Sequence, residues 1–333
     1  MPRRSAGSAQ RKSGSALPLR GGVLAALLAL GIFLVGGASA SAAPAATRAP
    51  AAGKTAHPGR SYYLALGDSL SQGVQPATPP LPPGTTLGES IETGQGYADD
   101  LYAHYKQEFP GPLTLVKLGC PGETTGSMRT GTGSPCTYPQ GSQLAAALAF
   151  ISAHRSEVKL ITIDIGANNV DGCATGTTIN QACVAKGIAA AKHDLPLILG
   201  ALRHAAGTHT VIVGMNLYDP FLAEYLTGPA GQSLATESVT LGVAYNELLS
   251  ESYRAFGIRT ADVQGAFLTT NFSDTASLPG VGTVPVNVAR ICDWTWMCAP
   301  SPVGPNIHAN ATGYRVIARA FERAIGCLGR RGR

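Results

Sequence analysis

Tyr62-Tyr63-Leu64-Ala65-Leu66, followed directly by Gly67-Asp68-Ser69-Leu70-Ser71, is the stretch that decides how this chain folds. Five consecutive apolar residues ended by a glycine read as a buried strand. A strand that runs into Gly-Asp-Ser sets a serine hydroxyl at the carboxyl end of a sheet, the edge where open α/β folds hold their ligands. Taken alone the string is ordinary turn chemistry, with Asp68 an acceptor that closes its own turn. The rest of the chain gives it weight.

Working outward from that strand, apolar and β-branched runs recur at 113–118, 160–165, 210–215 and 259–263. Between them lie segments with helical spacing, at 97–108, 142–154, 182–205 and 236–256. A Pro-, Gly- and Thr-rich insertion at 76–96 reads as loop. The last helix, 311–326, starts after Asn310 as an N-cap and presents Tyr314, Ile317, Phe321 and Ile325 to a core. Strands alternating with helices imply a mostly parallel sheet covered on both faces. The expected architecture is one α/β domain over 61–327, a three-layer αβα sandwich without internal repeats.

The first 20 residues carry Arg3, Arg4, Arg11, Lys12 and Arg20 and no acid, and an apolar stretch follows from Gly22 to Val35. With the small residues Ala38-Ser39-Ala40-Ser41-Ala42, these are the parts of a secretory signal peptide, expected over 1–42 with cleavage before Ser41 or Ala43. The apolar stretch is shorter than the ~20 residues of a spanning helix, so a stable membrane anchor is not expected. Ser5-Ala6 follows Arg3-Arg4 where a twin-arginine signal wants apolar residues. Residues 43–60, rich in Ala and Pro, read as a linker. Five of the 25 basic residues precede residue 21, so the remainder carries 20 basic against 20 acidic residues. That balance gives no reason to expect nucleic acid as a partner.

Seven cysteines stand at 120, 136, 173, 183, 292, 298 and 327. In an exported chain they are expected to be oxidised, and their spacing favours three local pairs among many possible pairings: Cys120–Cys136, Cys173–Cys183 and Cys292–Cys298. Cys327 is left over. No histidine stands at ligand spacing beside a cysteine pair, so neither metal nor cofactor is expected.

Three turns follow three expected strands and lie at one sheet edge: Gly67-Asp68-Ser69, then Cys120-Pro121-Gly122, then Gly166-Ala167-Asn168-Asn169. His308 stands just before the last helix, in a loop. Acyl transfer needs a nucleophile, a base within hydrogen-bond reach, and donors aimed at the developing oxyanion. Ser69, His308, a backbone amide at Gly122 and the Asn168 side chain have the right chemistry for those parts.

These four blocks, in this order, resemble the SGNH (GDSL) hydrolase family, and the resemblance spans about 61 to 326. The local cysteine pairs are similar to those of its secreted actinobacterial lipases and esterases. The resemblance implies Ser69 as nucleophile, His308 as general base and acid, and an oxyanion hole of the Ser69 and Gly122 amides with Asn168. It implies a monomeric secreted serine ester hydrolase acting on small-molecule or lipid esters, its activity rising as one histidine ionises near neutral pH. The alternative is a catalytically weak protein of the same fold that binds a cell-wall glycan or lipid.

Two positions depart from the family pattern. Asn169 stands where an aspartate is usual, and is expected to support its loop. Pro305 stands where the family places the aspartate that orients the histidine. A main-chain carbonyl from 301–305 is expected to take that role, with Asn306 Oδ1 and Asp293 as alternatives. Phe221, Leu222, Tyr225 and Leu226 are candidates for an acyl wall, and Trp294 and Trp296 for a rim beside His308, with core packing the plainer reading of each.

Overall fold

Parallel pairing builds the central sheet from β1 (Ser61–Gly67), β2 (Leu113–Lys117), β3 (Val158–Asp164), β4 (Val211–Met215) and β5 (Arg259–Ala261). The computed structural model describes residues 59–328. The expected leader and nearly all of the expected linker lie outside the described residues. The strand order is β2-β1-β3-β4-β5. The chain therefore leaves β1 toward one edge and returns across it to form β3. The crevice beyond the carboxyl ends of β1 and β3 is the switch point of the sheet, where folds of this order bind ligands.

Helices cover both faces: α1 (Ser69–Gln72), α2 (Tyr97–Tyr105), α3 (Thr125–Thr130), α4 (Gln143–Ala153), α5 (Gln181–Ala206), α6 (Pro229–Ala255), α7 (Val263–Ala266), α8 (Val286–Trp294) and α9 (Ala311–Ile325). The pleat of β1 divides its side chains between two cores. Tyr63 and Ala65 pack with α2, α8 and α9, where the Tyr97 and Phe321 rings stack 4.6 Å apart. Tyr62, Leu64 and Leu66 pack with α4, α5 and the later turns of α6. The result is the expected αβα sandwich.

α9 matters most for the site, because it anchors the segment that carries His308. It buries Tyr314, Ile317, Phe321 and Ile325 on one face. Each such side chain contributes roughly 1.5–3 kcal/mol relative to exposure. The Tyr314 hydroxyl also donates to the Val74 carbonyl at 2.8 Å, tying α9 to the turn that leaves α1.

Several elements differ from the sequence reading. α6 begins at Pro229, seven residues before 236, because Gly228-Pro229 places a proline at the first helical position. Within the insertion, Gln75–Pro76 pairs antiparallel with Ser90–Ile91. A hairpin of Thr275–Leu278 and Gly282–Pro285 and the helix α8 fill a stretch to which the sequence reading assigns no element. Disulfides join Cys120 to Cys136, Cys173 to Cys183 and Cys292 to Cys298, and Cys327 is free and exposed.

Candidate active site

Gly67 ends β1 with φ 129° and lies so close to the Asp164 backbone that a Cβ would collide with it. Only glycine fits there. Asp68 then caps α1, its Oδ1 accepting from the Leu70 amide at 3.1 Å. Asp164, the last residue of β3, receives the Asp68 and Ser71 amides on Oδ2 at 3.3 and 3.2 Å and the Tyr97 hydroxyl on Oδ1. The Gln143 side chain holds Gly67 from the other side, accepting its N–H at 2.7 Å and donating to its carbonyl at 2.9 Å. Ser69 is thus the first residue of a short helix pinned on two sides. Among the described residues its amide has no acceptor.

The second turn places Gly122 at φ 82°, in the left-handed region that glycine tolerates. Its amide also has no acceptor among the described residues. The third turn reaches across to the second. Asn168 Nδ2 donates to the Glu123 carbonyl at 3.0 Å and lies 3.4 Å from Asp68 Oδ2. Asn169 Oδ1 accepts from the Thr125 amide at 3.0 Å, and its Nδ2 donates to Thr125 Oγ1 at 2.9 Å, so it laces the two turns together. Behind them the buried Glu123 carboxylate accepts from Gln143 Nε2 at 3.2 Å and Ser134 Oγ at 3.1 Å.

His308 lies on the ribbon strand Asn306–Ala309, which pairs with Thr295–Trp296 and runs straight into the Asn310 cap of α9. Its Nδ1 is 2.7 Å from Asn306 Oδ1, and the same oxygen accepts the His308 amide at 3.0 Å. The expected main-chain carbonyl is therefore replaced by a side chain. An Asn side chain readily accepts from the backbone two residues on, and here it reaches the ring as well. Because that oxygen faces an obligate N–H donor, its amide orientation is fixed. The ring must then carry its proton on Nδ1, which leaves Nε2 free to accept. Asp293 is exposed on a different groove, with Cys292, Met297 and Pro305. Burial without a compensating carboxylate pushes the His308 pKa down to about 4. The ionisation expected near neutral pH moves with it.

Asp68, Ser69, Asn168 and His308 line one cleft of ≈ 430 Å³, which Leu217, Tyr218 and Asp171 also border. Gly122 stands outside that lining, next to the Glu123 carbonyl that holds Asn168. The Tyr218 hydroxyl donates to the Ile307 carbonyl at 2.7 Å and braces the histidine strand. Burial pushes Asp68 up to about 6, and pushes Asp164 up further with the help of the Asp68 charge. Sequence reasoning missed Asp171. Burial, then the charges of Asp68 and Asp219, push its carboxyl up to about 8, and it has no hydrogen-bond partner among the described residues. Its one signal was a carboxylate three residues beyond Asn168 in the same turn.

The flanking aromatics separate. Phe221 borders an apolar pocket beside the cleft, whereas Leu222 is fully buried core and Tyr225 and Leu226 pack against that core. Trp294 packs edge-on against Phe267 under the Arg290 guanidinium. Trp296 donates its indole N–H to Gln75 Oε1 at 3.3 Å.

The sequence profile of the GDSL-like Lipase/Acylhydrolase family matches residues 65–316. No curated protein matches the chain. Among solved structures, the chain is similar to a phospholipase A1 from Streptomyces albidoflavus, at 18% identity and TM-score 0.47, covering 80% of this chain and 100% of that one. It is similar to an extracellular lipase from Streptomyces rimosus at 20% identity and TM-score 0.46, covering 79% and 99%. An acetyl-xylooligosaccharide esterase from Geobacillus is similar at 14% identity and TM-score 0.44, covering 80% and 94%.

Proposed function

The chain belongs to the GDSL-like lipase/acylhydrolase family and is a carboxylic ester hydrolase; on that premise we propose that it is an exported serine esterase working through an acyl-enzyme on Ser69. His308 Nε2 takes the Ser69 Oγ proton as the oxygen attacks the ester carbonyl carbon. The negative charge that forms on the carbonyl oxygen is received by the Ser69 and Gly122 amides and by Asn168 Nδ2. His308 then gives its proton to the departing alcohol oxygen. A water repeats the sequence on the acyl-enzyme, with His308 again as base, and releases the acid.

One observation carries this reading: Ser69, Asn168 and His308 line a single cleft, with the His308 ring held through Nδ1 so that Nε2 is the acceptor. The Ser69 amide supports the oxyanion role, because it is buried and has no acceptor among the described residues, and the Gly122 amide, on an exposed residue, is the second donor assigned to it. Asn168 Nδ2 donates to the Glu123 carbonyl at 3.0 Å and to Asp68 Oδ2 at 3.4 Å, and the oxyanion would take over the longer of these two bonds. All of these groups come from one chain, so the reading needs no partner subunit. Export rests on the leader over 1–42 and on the three disulfides, which persist in oxidising compartments. The hydrolase domain then spans 61–327, after the linker.

The test is Ser69→Ala on p-nitrophenyl acetate, together with a serine-directed phosphonate and mass analysis. The parent should hydrolyse the ester and gain one phosphonate on Ser69, and the variant should do neither while melting normally. A Ser69→Ala protein with parental turnover would end the serine mechanism. A parent inert to both reagents would favour the glycan- or lipid-binding alternative.

A further inference from the structure

Beside the cleft lies a second, larger pocket with ≈ 690 Å³ of empty space, open on one side. Four residues line both: Asp171, Leu217, Tyr218 and Pro220. Beyond them the walls are apolar. Val184 and Ile188 come from α5, Phe221 from the stretch before α6, and Leu241 from α6. The Cys173–Cys183 disulfide closes one flank, with Cys173 itself on the lining. Most polar groups along it are already engaged. Asp219 accepts from Ser238 Oγ at 2.7 Å and from the Phe221 amide at 2.9 Å. Asn246 holds both backbone groups of Leu217 at 2.8 Å. Such a space is suited to an apolar chain.

The face that α6 turns toward it is Ser238, Leu241, Gly242 and Tyr245, at helical spacing. Gly242 sits in mid-helix, where glycine weakens a helix relative to alanine. The other glycines of the two long helices have a packing reason. A Cβ at Gly187 would collide with the Asn169 carbonyl, one at Gly231 with the Glu224 carbonyl, and one at Gly200 would press the Phe256 ring at 3.1 Å. A Cβ at Gly242 would meet no atom within 4 Å. The helix thus carries an unfavourable residue whose missing side chain corresponds to open pocket.

Resting on the serine-esterase reading above, we propose that this pocket receives the acyl chain of the substrate and that Gly242 sets how long that chain can be. The preferred substrates are esters of unbranched, medium-length fatty acids, not acetyl esters. The carbonyl carbon sits at Ser69, and the chain passes Tyr218 and Leu217 toward α6. In this arrangement each added CH₂ that the pocket accepts should raise kcat/KM by ~4-fold, the value of burying one methylene.

The experiment compares p-nitrophenyl acetate, butyrate, hexanoate and octanoate on the purified protein, Gly242→Ala and Gly242→Leu. In the parent, kcat/KM should climb from acetate to octanoate. A leucine side chain occupies the room of about four methylenes, so the octanoate-to-acetate ratio should fall by ~100-fold or more in Gly242→Leu and by less in Gly242→Ala. Both variants should melt no lower than the parent, as helix propensity dictates. Free octanoate supplies a readout without turnover: it should raise the melting temperature of the parent most and of Gly242→Leu least. A parental ratio that does not rise with chain length, or a Gly242→Leu ratio and octanoate response within twofold of the parent, overturns the assignment. Ser69→Ala separates the two readings. If it is inactive while the ratios stay flat, only the pocket assignment fails. If it remains active, the serine mechanism fails.

Discussion

Asn306→Asp adds one negative charge beside His308 while keeping the shape of the side chain, so it isolates electrostatics from packing. In the parent, the neutral Asn306 Oδ1 lies 2.7 Å from Nδ1, and burial lowers the ring pKa from 6.5 to about 4. That displacement corresponds to roughly 3 kcal/mol disfavouring the imidazolium. An opposite charge at such a distance raises a pKa by about 1–3 units. The acid limb of kcat/KM should therefore move from near pH 4 in the parent to roughly 5–7 in the variant. The sign follows from the role of the base: a raised pKa keeps His308 protonated to higher pH, so activity at pH 5 falls relative to pH 8. At pH 8 the ring is neutral in both proteins, and kcat should rise in the variant, because a carboxylate stabilises the imidazolium formed in the transition state. The assay is kcat/KM for a soluble short ester from pH 3.5 to 9, with near-UV circular dichroism at each pH as a check on folding. The linked stability runs the same way. A depressed histidine pKa contributes stability that is complete above pH 6.5 and is lost as pH falls toward 4. A variant whose acid limb stays with that of the parent would refute the Asn306–His308 contact, and a parental limb at 6.5 or above would refute the burial argument.

Asn168→Ala should lower kcat by ~10²- to 10³-fold with KM nearly unchanged, as expected of a single oxyanion donor; a raised KM at constant kcat would make it a substrate-binding group instead. Asp171→Asn should change stability in a pH-dependent way, read as the melting-temperature gap between variant and parent. The carboxyl is pushed up to about 8, so its stabilising contribution is complete below its ordinary 3.8 and is lost as pH rises through about 8. The gap should be small near pH 4 and should favour the variant increasingly up to pH 9, and a gap independent of pH would show that Asp171 does not titrate in this window.

The sheet was legible because its strands are continuous apolar runs, and the helices because theirs are periodic. Ser61–Gly67 and Ala311–Ile325 sit within a residue or two of their sequence readings, each bounded by a turn residue or a cap. Much of the site was legible for the same reason. Ser69 and Asn168 each follow a strand, and parallel strands bring their carboxyl ends together whatever lies between. What escaped was set by tertiary contact. Asp171 is an ordinary turn aspartate in sequence, and only burial beside the apolar pocket, with the charges of Asp68 and Asp219, makes its carboxyl unusual. Gln143 reads as one polar residue at the start of an Ala-rich helix, yet it holds both backbone groups of Gly67. α8 has too short an apolar pattern to stand apart from the disulfide loop that follows it.

Position 306 shows how a departure from a pattern can be local chemistry and not a loss. Pro305 stands where the orienting carboxylate is usual, and the sequence offered a main-chain carbonyl from 301–305 first, with Asn306 Oδ1 and Asp293 as alternatives. The acceptor is one residue further along, and it reaches Nδ1 by the same short loop that captures the His308 amide. Exchanging a charged acceptor for a neutral one keeps the tautomer and gives up the charge. The base is then unprotonated over almost the whole working range, but with a pKa of about 4 it is a weak one, and proton transfer gains less driving force than with a base poised near neutrality. In the proposed mechanism, more of the barrier must then be met where charge develops on the substrate carbonyl oxygen, by the amides of Ser69 and Gly122 and by Asn168. It follows that Asn168→Ala should cost more in the parent than in an Asn306→Asp background. If the double-mutant cycle shows the two changes to be additive, the base and the oxyanion donors do not share the barrier in this way.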